Sequence, residues 1–260
     1  MAELAAITAD REIDDDGWQE FFSHPQFLRF SSAILTAERT AAEVAAVRRW
    51  LGPPSGASLL DLGCGYGRIA VPLAAAGYRV TGLDANAAML AKAAADAEAA
   101  GVAIDFVHRD MREMALPAES FDAVLNLSTA FGYADDADGD LATLEAVRTV
   151  LRPAGLFLID TENRDAKIRT ARSTSFAMAG VKITCRRDFD PLTGRWREAM
   201  SWTDGDATDG SVFSVRLYSA TELTTMLRRA GLQLVGAWGG FDGQPYTIDS
   251  GRMIMLARRA

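Results

Sequence analysis

The 260-residue chain has only two cysteines, Cys64 and Cys185, far apart in sequence. A disulfide framework is therefore not expected, and a reducing cytoplasm is the default setting. Histidine is as scarce: His24 and His108 are the only two. No apolar run approaches the roughly 20 residues that span a membrane. Met1 to Asp16 lacks the basic-then-apolar pattern of a secretion signal. Positive charge is also in short supply, with 27 Lys/Arg against 35 Asp/Glu and a net charge of −8. A broad nucleic-acid surface needs a basic face, so DNA and RNA are disfavoured as partners. Repeats and low-complexity segments are missing too. What remains is a chain 49% apolar and 24% charged, the composition of a globular domain.

The strongest local signal is Leu59-Leu60-Asp61-Leu62-Gly63-Cys64-Gly65-Tyr66-Gly67-Arg68. A short apolar run ends in three glycines at alternate positions, and apolar residues at helical spacing follow from Arg68 to Ala76. Strand, glycine turn and helix together make a nucleotide-binding βα unit. Glycine is needed there because it reaches positive φ and, lacking Cβ, lets a ligand lie against the backbone. The helix then directs its free N–H groups at the ligand. A dinucleotide loop would place its third glycine at position 68, where Arg68 stands. Nor does any tyrosine have lysine four residues on, the pattern of many nicotinamide-dependent reductases. A reductase on NAD(P) is thus the lesser alternative.

Elements then alternate. Thr36–Leu51 reads as an amphipathic helix, with Gly52-Pro53-Pro54-Ser55-Gly56 as its stop. Strands are expected at 59–62, 78–83, 103–107, 121–127 and 156–161, with helices between them. Alternating strands and helices predict a doubly wound, mostly parallel sheet. Two closing strands, 232–238 and 253–257, lack a helix between them, so the last should be antiparallel. Between 181 and 217 the period changes to two: three alternating runs joined by turns predict an inserted antiparallel β meander. Ser219 with Glu222 has the spacing of a helix capping box. Near the N-terminus, Trp18, Phe21, Phe22, Phe27 and Phe30 crowd fourteen residues, and Pro25 should interrupt any helix there. Residues 1–16 read as frayed.

Ligands of such sheets lie beyond the carboxyl ends of the strands. Asp84 stands at the end of the second strand, where a carboxylate can accept both hydroxyls of a ribose; helix capping is its structural alternative. Asp110 follows the third strand, and Asn126-Leu127 end the fourth.

At Leu-Asp-Leu-Gly-Cys-Gly-x-Gly the chain resembles the class I S-adenosylmethionine-dependent methyltransferases, of the small-molecule bacterial or archaeal type. The resemblance implies a seven-stranded Rossmann-like sheet with S-adenosyl-L-methionine as cofactor. It covers the chain from about Ala37 to the end, as a cofactor-binding domain (37–162 and 217–260) with an inserted β substrate cap (163–216); the aromatic N-terminal segment (1–36) is read as a lid, with simple packing on the domain as its alternative. It also implies a cofactor set of Asp61, Gly63, Cys64, Gly65, Gly67, Arg68, Asp84, Ala85, Met89, Asp110, Met111, Arg112, Asn126 and Leu127. Asp110 and the Met111 amide would meet the adenine, and Asp61 would either bond loop amides or touch the ligand's amino group.

The Asn/Asp-Pro-Pro-Tyr/Phe run of amino-methylating DNA enzymes is absent after the fourth strand. Asn126-Leu127-Ser128-Thr129-Ala130-Phe131-Gly132-Tyr133 instead resembles small-molecule members, whose aromatic after the glycine lines the acceptor pocket. Phe22, Phe131, Tyr133, Arg172 and Tyr246 are the candidate acceptor contacts; Arg172 lies in a locally basic stretch. No metal is expected. Methyl transfer from a sulfonium is an in-line displacement that needs a base only for a protonated acceptor. His24 and Tyr133 are the candidate bases. The partner expected is a small-molecule methyl acceptor, with oligomeric state left open. A non-catalytic protein that only binds S-adenosylmethionine is the other alternative.

Overall fold

A computed structural model describes residues 17–52, 56–204 and 207–260. The frayed stretch read at 1–16, and part of the turns at 53–55 and 205–206, lie outside them.

Three helices open the described chain: α1 (Gly17–Ser23), α2 (Pro25–Ile34) and α3 (Ala37–Leu51). The break between α1 and α2 has a local cause. Pro25 cannot donate an amide within a helix and suits a first-turn position, and His24 caps α2 by accepting from the Gln26 amide at 3.2 Å. Thr36 caps α3 in the same manner, and Gly52, at φ 52°, ends it in the left-handed conformation that glycine adopts without strain.

The main body follows as β1 (Ser58–Leu62), α4 (Ala70–Ala75), β2 (Arg79–Asp84), α5 (Ala87–Ala99), β3 (Ile104–His108), β4 (Phe121–Asn126), α6 (Ala137–Val150) and β5 (Leu151–Glu162). After a short helix, α7 (Arg164–Lys167), come β6 (Thr174–Met178), β7 (Val181–Asp190), β8 (Arg195–Asp204) and β9 (Ala207–Arg216). The chain closes with α8 (Ala220–Arg229), β10 (Leu232–Trp238) and β11 (Arg252–Arg259).

The seven-stranded sheet has the order β10-β11-β5-β4-β1-β2-β3. β1 pairs in parallel with both β2 and β4, while β11 runs antiparallel to β5 and β10. This is the doubly wound α/β architecture with an antiparallel last strand. Its central strands are apolar on both faces, as a sheet covered on both sides requires. Leu60, Leu62, Val124 and Phe157 pack toward α6 and α8. Leu59, Leu125 and Leu158 pack toward α3 and α4. The capping box of α8 is present: Ser219 Oγ accepts the Glu222 amide, and the Glu222 carboxylate accepts the Ser219 amide at 2.8 Å.

The second sheet is antiparallel, in the order β6-β7-β8-β9. It has four strands where the alternating pattern showed three. The strand that escaped, β6, exposes three consecutive residues, Ser175, Phe176 and Ala177, so it carries no period-two signature. The fifth strand is also longer than expected. It was expected at 156–161, but Arg152-Pro153-Ala154-Gly155 already belong to β5, which begins directly after α6 ends at Val150. β5 sits at an irregularity in its pairing with β4, the setting in which a strand tolerates proline.

The aromatic N-terminal helices bridge the two sheets. Phe30 of α2 is buried against Val181, Ile183 and Trp202, and Phe21 of α1 lies 4.6 Å from Phe213 of β9, ring centre to ring centre. Among the described residues no helix is long and apolar enough to cross a membrane.

Candidate active site

β1 and β4 lie side by side, and from this pair the chain departs in opposite directions across the sheet. A crevice must open at their carboxyl ends. The glycine loop that follows β1 forms its floor. Gly63, Gly65 and Gly67 all have positive φ, at 79°, 53° and 78°. A side chain at Gly63 would strike Ala130 and Met111, whereas no atom lies within 4 Å of a Cβ built at Gly65. Gly63 therefore serves tight packing, and Gly65 leaves bare backbone facing open space. Gly67 serves the helix layer, its Cβ position lying 3.1 Å from Ala93 of α5.

Asp84, at the tip of β2, reaches across to this loop. Its Oδ2 accepts the Gly65 amide at 2.7 Å and its Oδ1 accepts the Asn86 amide at 2.8 Å. Capping of α5 falls to Asn86, whose side chain accepts the Ala88 and Met89 amides. Asp84 is thus not spent as a helix cap. Burial raises its pKa, opposed by the Asn86 and Gly65 amides.

Asp61 is buried in the last turn of β1, and desolvation pushes its carboxyl up to about 7; the charge of Arg68 opposes this and that of Asp84 adds to it. Burial, helped by the charges of Asp61 and Asp84, raises the Cys64 thiol well above its ordinary range. Cys64 stays a neutral thiol that fills space beneath Gly82.

Two adjoining cavities occupy the crevice. The larger, about 160 Å³, is lined by Trp18, Phe22, Asp61, the glycine loop, Arg68, Asp84, Met89, Leu127 and Tyr133. The smaller touches Ala85, Asp110, Met111, Arg112 and Phe131 and shares Trp18, Asp84 and Tyr133 with its neighbour. Asp110 is held in place by Arg112, which donates to it through its amide at 2.8 Å and its guanidinium at 2.8 and 3.0 Å. Arg68 is committed as well: its guanidinium meets the buried Glu43 of α3 at 2.6 Å and Ser128 Oγ at 3.0 Å.

A third cavity, about 430 Å³, lies between the N-terminal helices and the antiparallel sheet. Phe22, Phe27, Leu35, Ser128, Thr129 and Tyr133 line both this chamber and the crevice. Ser128 and Thr129 are consecutive left-handed residues, at φ 59° and 61°. That is a strained conformation, more so for a β-branched threonine. The buried carboxylate of Asp160 holds it by accepting the Ser128 amide at 2.9 Å, and Arg252 donates both to Asp160 at 2.8 Å and to Thr129 Oγ1 at 3.0 Å.

Five expected site residues do not line these cavities, Gly67 of the helix layer among them. His24 caps α2, shares a 3.0 Å contact with Asp209, and packs on Trp202. Arg172 is exposed. Tyr246 donates its hydroxyl to Asn163 at 2.8 Å. Asn126 is buried behind the crevice, its amide donating to the Leu62 carbonyl at 3.0 Å. For His24, Tyr246 and Asn126 a structural partner has taken the group that chemistry would have used. Tyr133 does line all three cavities, but burial, then the nearby charge of Glu162, push its phenol far above the range of a base. The chamber's own charged residues, Glu162, Lys167, Arg187 and Glu198, went unnoticed as a set. They come from separate segments with no common spacing.

The sheet order, the glycine loop and the two strand-tip carboxylates define a class: the Rossmann-like, class I S-adenosylmethionine-dependent methyltransferases. Residues 59–155 match the family model described as a methyltransferase domain. It is 35% identical over 187 residues to the ubiquinone biosynthesis O-methyltransferase of Cereibacter sphaeroides, a match covering 72% of this chain; the chain spans 64% of that relative's length. Among solved structures, the CcbJ methyltransferase from Streptomyces caelestis superposes with a TM-score of 0.77 at 21% identity, over 85% of this chain and 90% of that one. The S-adenosylmethionine-bound CalS10, an amino pentose methyltransferase from Micromonospora echinaspora, gives 0.68 at 21% identity, over 91% and 98%.

The crevice fits the cofactor of the class on its own features. The uncovered backbone at Gly65 gives a flat nucleoside somewhere to lie. Asp84 retains acceptor capacity on both oxygens for a pair of hydroxyls. The Trp18 indole N–H is buried without a partner among the described residues while its side chain lines the crevice, so a donor is waiting for an acceptor.

Proposed function

We propose that the protein transfers a methyl group from S-adenosylmethionine to a small-molecule acceptor held in the adjoining chamber. One observation carries this reading: the crevice and the chamber share a wall made of Phe22, Phe27, Leu35, Ser128, Thr129 and Tyr133. A donor on one side and an acceptor on the other meet at that wall, and an in-line displacement needs little more than such alignment in a dry space.

Bound S-adenosylmethionine supplies a methyl group activated by a positively charged sulfur. The protein's own residues hold and shield. Asp84 accepts the ribose hydroxyls, the glycine-loop amides face the ligand backbone, and Asp110 with the Met111 amide reads the adenine edge. Asp61 faces the amino group of the methionyl end. The aromatic side chains of α1 and α2 exclude water and offer faces on which a sulfonium is stabilised. Tyr133 acts as a neutral hydroxyl and not as a base. His24 holds the entrance helices together.

The name of the Cereibacter relative, and that of CalS10, describe enzymes of small acceptors, which supports the same scale of acceptor here. The net charge of −8 favours such an acceptor over a nucleic acid. Two free buried cysteines suit a cytoplasmic location. The 37–162 and 217–260 segments serve the donor, and 163–216 with the N-terminal helices roofs the acceptor.

The test is calorimetric titration with S-adenosylmethionine and S-adenosylhomocysteine, followed by a turnover assay that detects S-adenosylhomocysteine release across small amines, alcohols and phenols. Absence of donor binding sinks the reading. Donor binding with no turnover on any acceptor would favour a protein that only binds S-adenosylmethionine.

A further inference from the structure

The charges around the 430 Å³ chamber are unequally satisfied. Four cations line it, and each already has a carboxylate. Arg39 meets Glu43 at 2.8 Å, Lys167 meets Glu162 at 3.1 Å, Arg187 meets Glu198 at 2.9 Å and Arg252 meets Asp160 at 2.8 Å. The two lining carboxylates differ. Glu198 is used on both oxygens: Oε1 accepts from Arg187 at 2.9 Å and Oε2 from the Trp196 indole at 3.2 Å. Glu162 is used on one. Its Oε1 accepts from Lys167, with the Arg252 guanidinium 3.6 Å from the same oxygen, and its Oε2 has no partner among the described residues.

Glu162 is also well placed. It is the last residue of β5, at the carboxyl end of the sheet where ligands of this fold collect. Its charge is felt at Tyr133, which stands in the wall between chamber and crevice. Aromatic rings are prominent in the rest of the lining, with Phe21, Phe22 and Phe27 from the N-terminal helices and Trp196 and Phe213 from the antiparallel sheet. Aromatic faces attract cations, and this chamber already holds one in that manner, the Lys167 ammonium 5.2 Å from the centre of the Trp196 ring.

We infer that the acceptor is a compact molecule with an apolar body and an ammonium group, and that Glu162 is the residue that holds the ammonium. The inference rests on the methyl-transfer reading and adds the acceptor's chemical class. A carboxylate or phosphate acceptor would compete with the carboxylate already paired to each lining cation. An ammonium meets the open Oε2 of Glu162 and aromatic walls, with Lys167 as its nearest competitor among the described residues for that carboxylate's charge. A neutral alcohol gains the hydrogen bond but not the charge, so it binds more weakly. Lys167, on its long flexible stem, competes with the ligand for Glu162, so removing its charge should tighten binding.

The test uses three probes that share one body and differ in the terminal group: phenethylamine, 2-phenylethanol and phenylacetate. Each is titrated calorimetrically into the full chain saturated with S-adenosylhomocysteine, which occupies the donor site without reacting. The amine is expected to bind at least about tenfold tighter than the other two. Glu162→Gln should weaken the amine by about tenfold or more and change the alcohol by less than about twofold, with S-adenosylhomocysteine affinity retained. Lys167→Met should strengthen the amine severalfold and leave the other probes behind it. Preference for phenylacetate, equal binding of all three probes, no binding of the amine, or an amine affinity unmoved in Glu162→Gln each overturns the inference. If Glu162→Gln fails to fold, amine binding that is unchanged or weakened in Lys167→Met overturns it alone. Failure of S-adenosylhomocysteine to bind the unaltered protein would instead sink the methyl-transfer reading.

Discussion

The carboxylate of Asp84 accepts the backbone amide of Gly65 at 2.7 Å, so the tip of β2 is fastened to the most open turn of the glycine loop. One side chain thereby sets the distance between the two features proposed to grip a nucleoside: bare backbone and a hydroxyl acceptor. Asp84→Ala should therefore damage donor binding twice, through lost charge-assisted hydrogen bonds and through a loosened loop. Each such bond is worth about 1.5–3 kcal/mol, so a loss of at least about thirtyfold in donor affinity is expected. Calorimetry measures it directly. Asp84→Asn, which keeps the shape and one acceptor, should fall between the two.

Asp61 makes the site sensitive to pH in a definite direction. Its folded-state pKa is raised to about 7, above the roughly 3.9 of an unfolded aspartate. Between those values the folded chain holds the proton more tightly, so stability of the unliganded protein is greatest at the acid end and declines as pH rises toward about 7. Asp140, raised to about 6 chiefly by burial, adds a slope of the same sign. Donor binding should run the other way, because an ammonium facing Asp61 favours the ionised carboxylate: affinity rises as pH climbs toward about 7 and levels off above it. In Asp61→Asn, melting temperature should vary less between about pH 5 and 7.5, and donor affinity should lose its rise. Melts and titrations across that range check both.

Trp18 links the entrance helix to the donor. Its indole lies 5.6 Å from the Tyr133 ring, and the Arg112 guanidinium stands 5.7 Å from its own ring centre. Its N–H has no partner among the described residues. Donor binding should change its emission. Intrinsic fluorescence is expected to shift when S-adenosylhomocysteine is added, and Trp18→Phe should abolish most of that shift. Affinity should fall by about three- to tenfold, the worth of one neutral hydrogen bond and some packing. A shift of equal size in Trp18→Phe would place the responsive indole elsewhere, at Trp50, Trp196, Trp202 or Trp238.

The lining of the crevice at the strand tips was legible in the sequence because its parts are local. Gly63 to Gly67 announce a turn that only glycine makes, and Asp84 and Asp110 each close a strand that can be read by its own apolar run. The acceptor chamber was not legible for the opposite reason. Glu162, Lys167, Arg187 and Glu198 meet only because β5, α7, β7 and β8 are brought together by the tertiary fold. His24 shows how chemistry and structure compete for one group. An imidazole beside aromatics reads as a base, but with Pro25 next to it the same ring is a helix cap, and the structure uses it so. β6 was missed because exposed residues leave no alternation to see. The five-aromatic stretch from Trp18 to Phe30 was plain in composition, and the fold sets all five rings along the cavities, with Phe30 also buried against Val181, Ile183 and Trp202.

Gly132 controls how the antiparallel sheet meets the loop after β4. At φ 104° it occupies backbone space closed to other residues, and a Cβ there would overlap the Arg216 carbonyl oxygen and press on Val215 at 3.1 Å. Its own carbonyl accepts the Arg216 amide at 2.8 Å, so the loop after β4 and the end of β9 are joined at this residue. Arg195 reinforces the joint by donating to the Ala134 and Asp135 carbonyls, and Tyr218 by a 2.6 Å hydrogen bond to the buried Asp140. Gly132→Ala cannot be absorbed by a rotamer change, because the obstacle is backbone; either the loop or β9 must move. A loss of about 2–4 kcal/mol in unfolding free energy is expected, read from the denaturant midpoint. Because Tyr133 is the next residue and stands in the shared wall, the displacement should reach catalysis before it reaches donor binding. Where the variant is still folded, turnover should therefore fall by about a hundredfold while affinity for S-adenosylhomocysteine changes by less than about threefold. Equal losses in both would mean that the joint supports the donor crevice itself and not the chamber beside it.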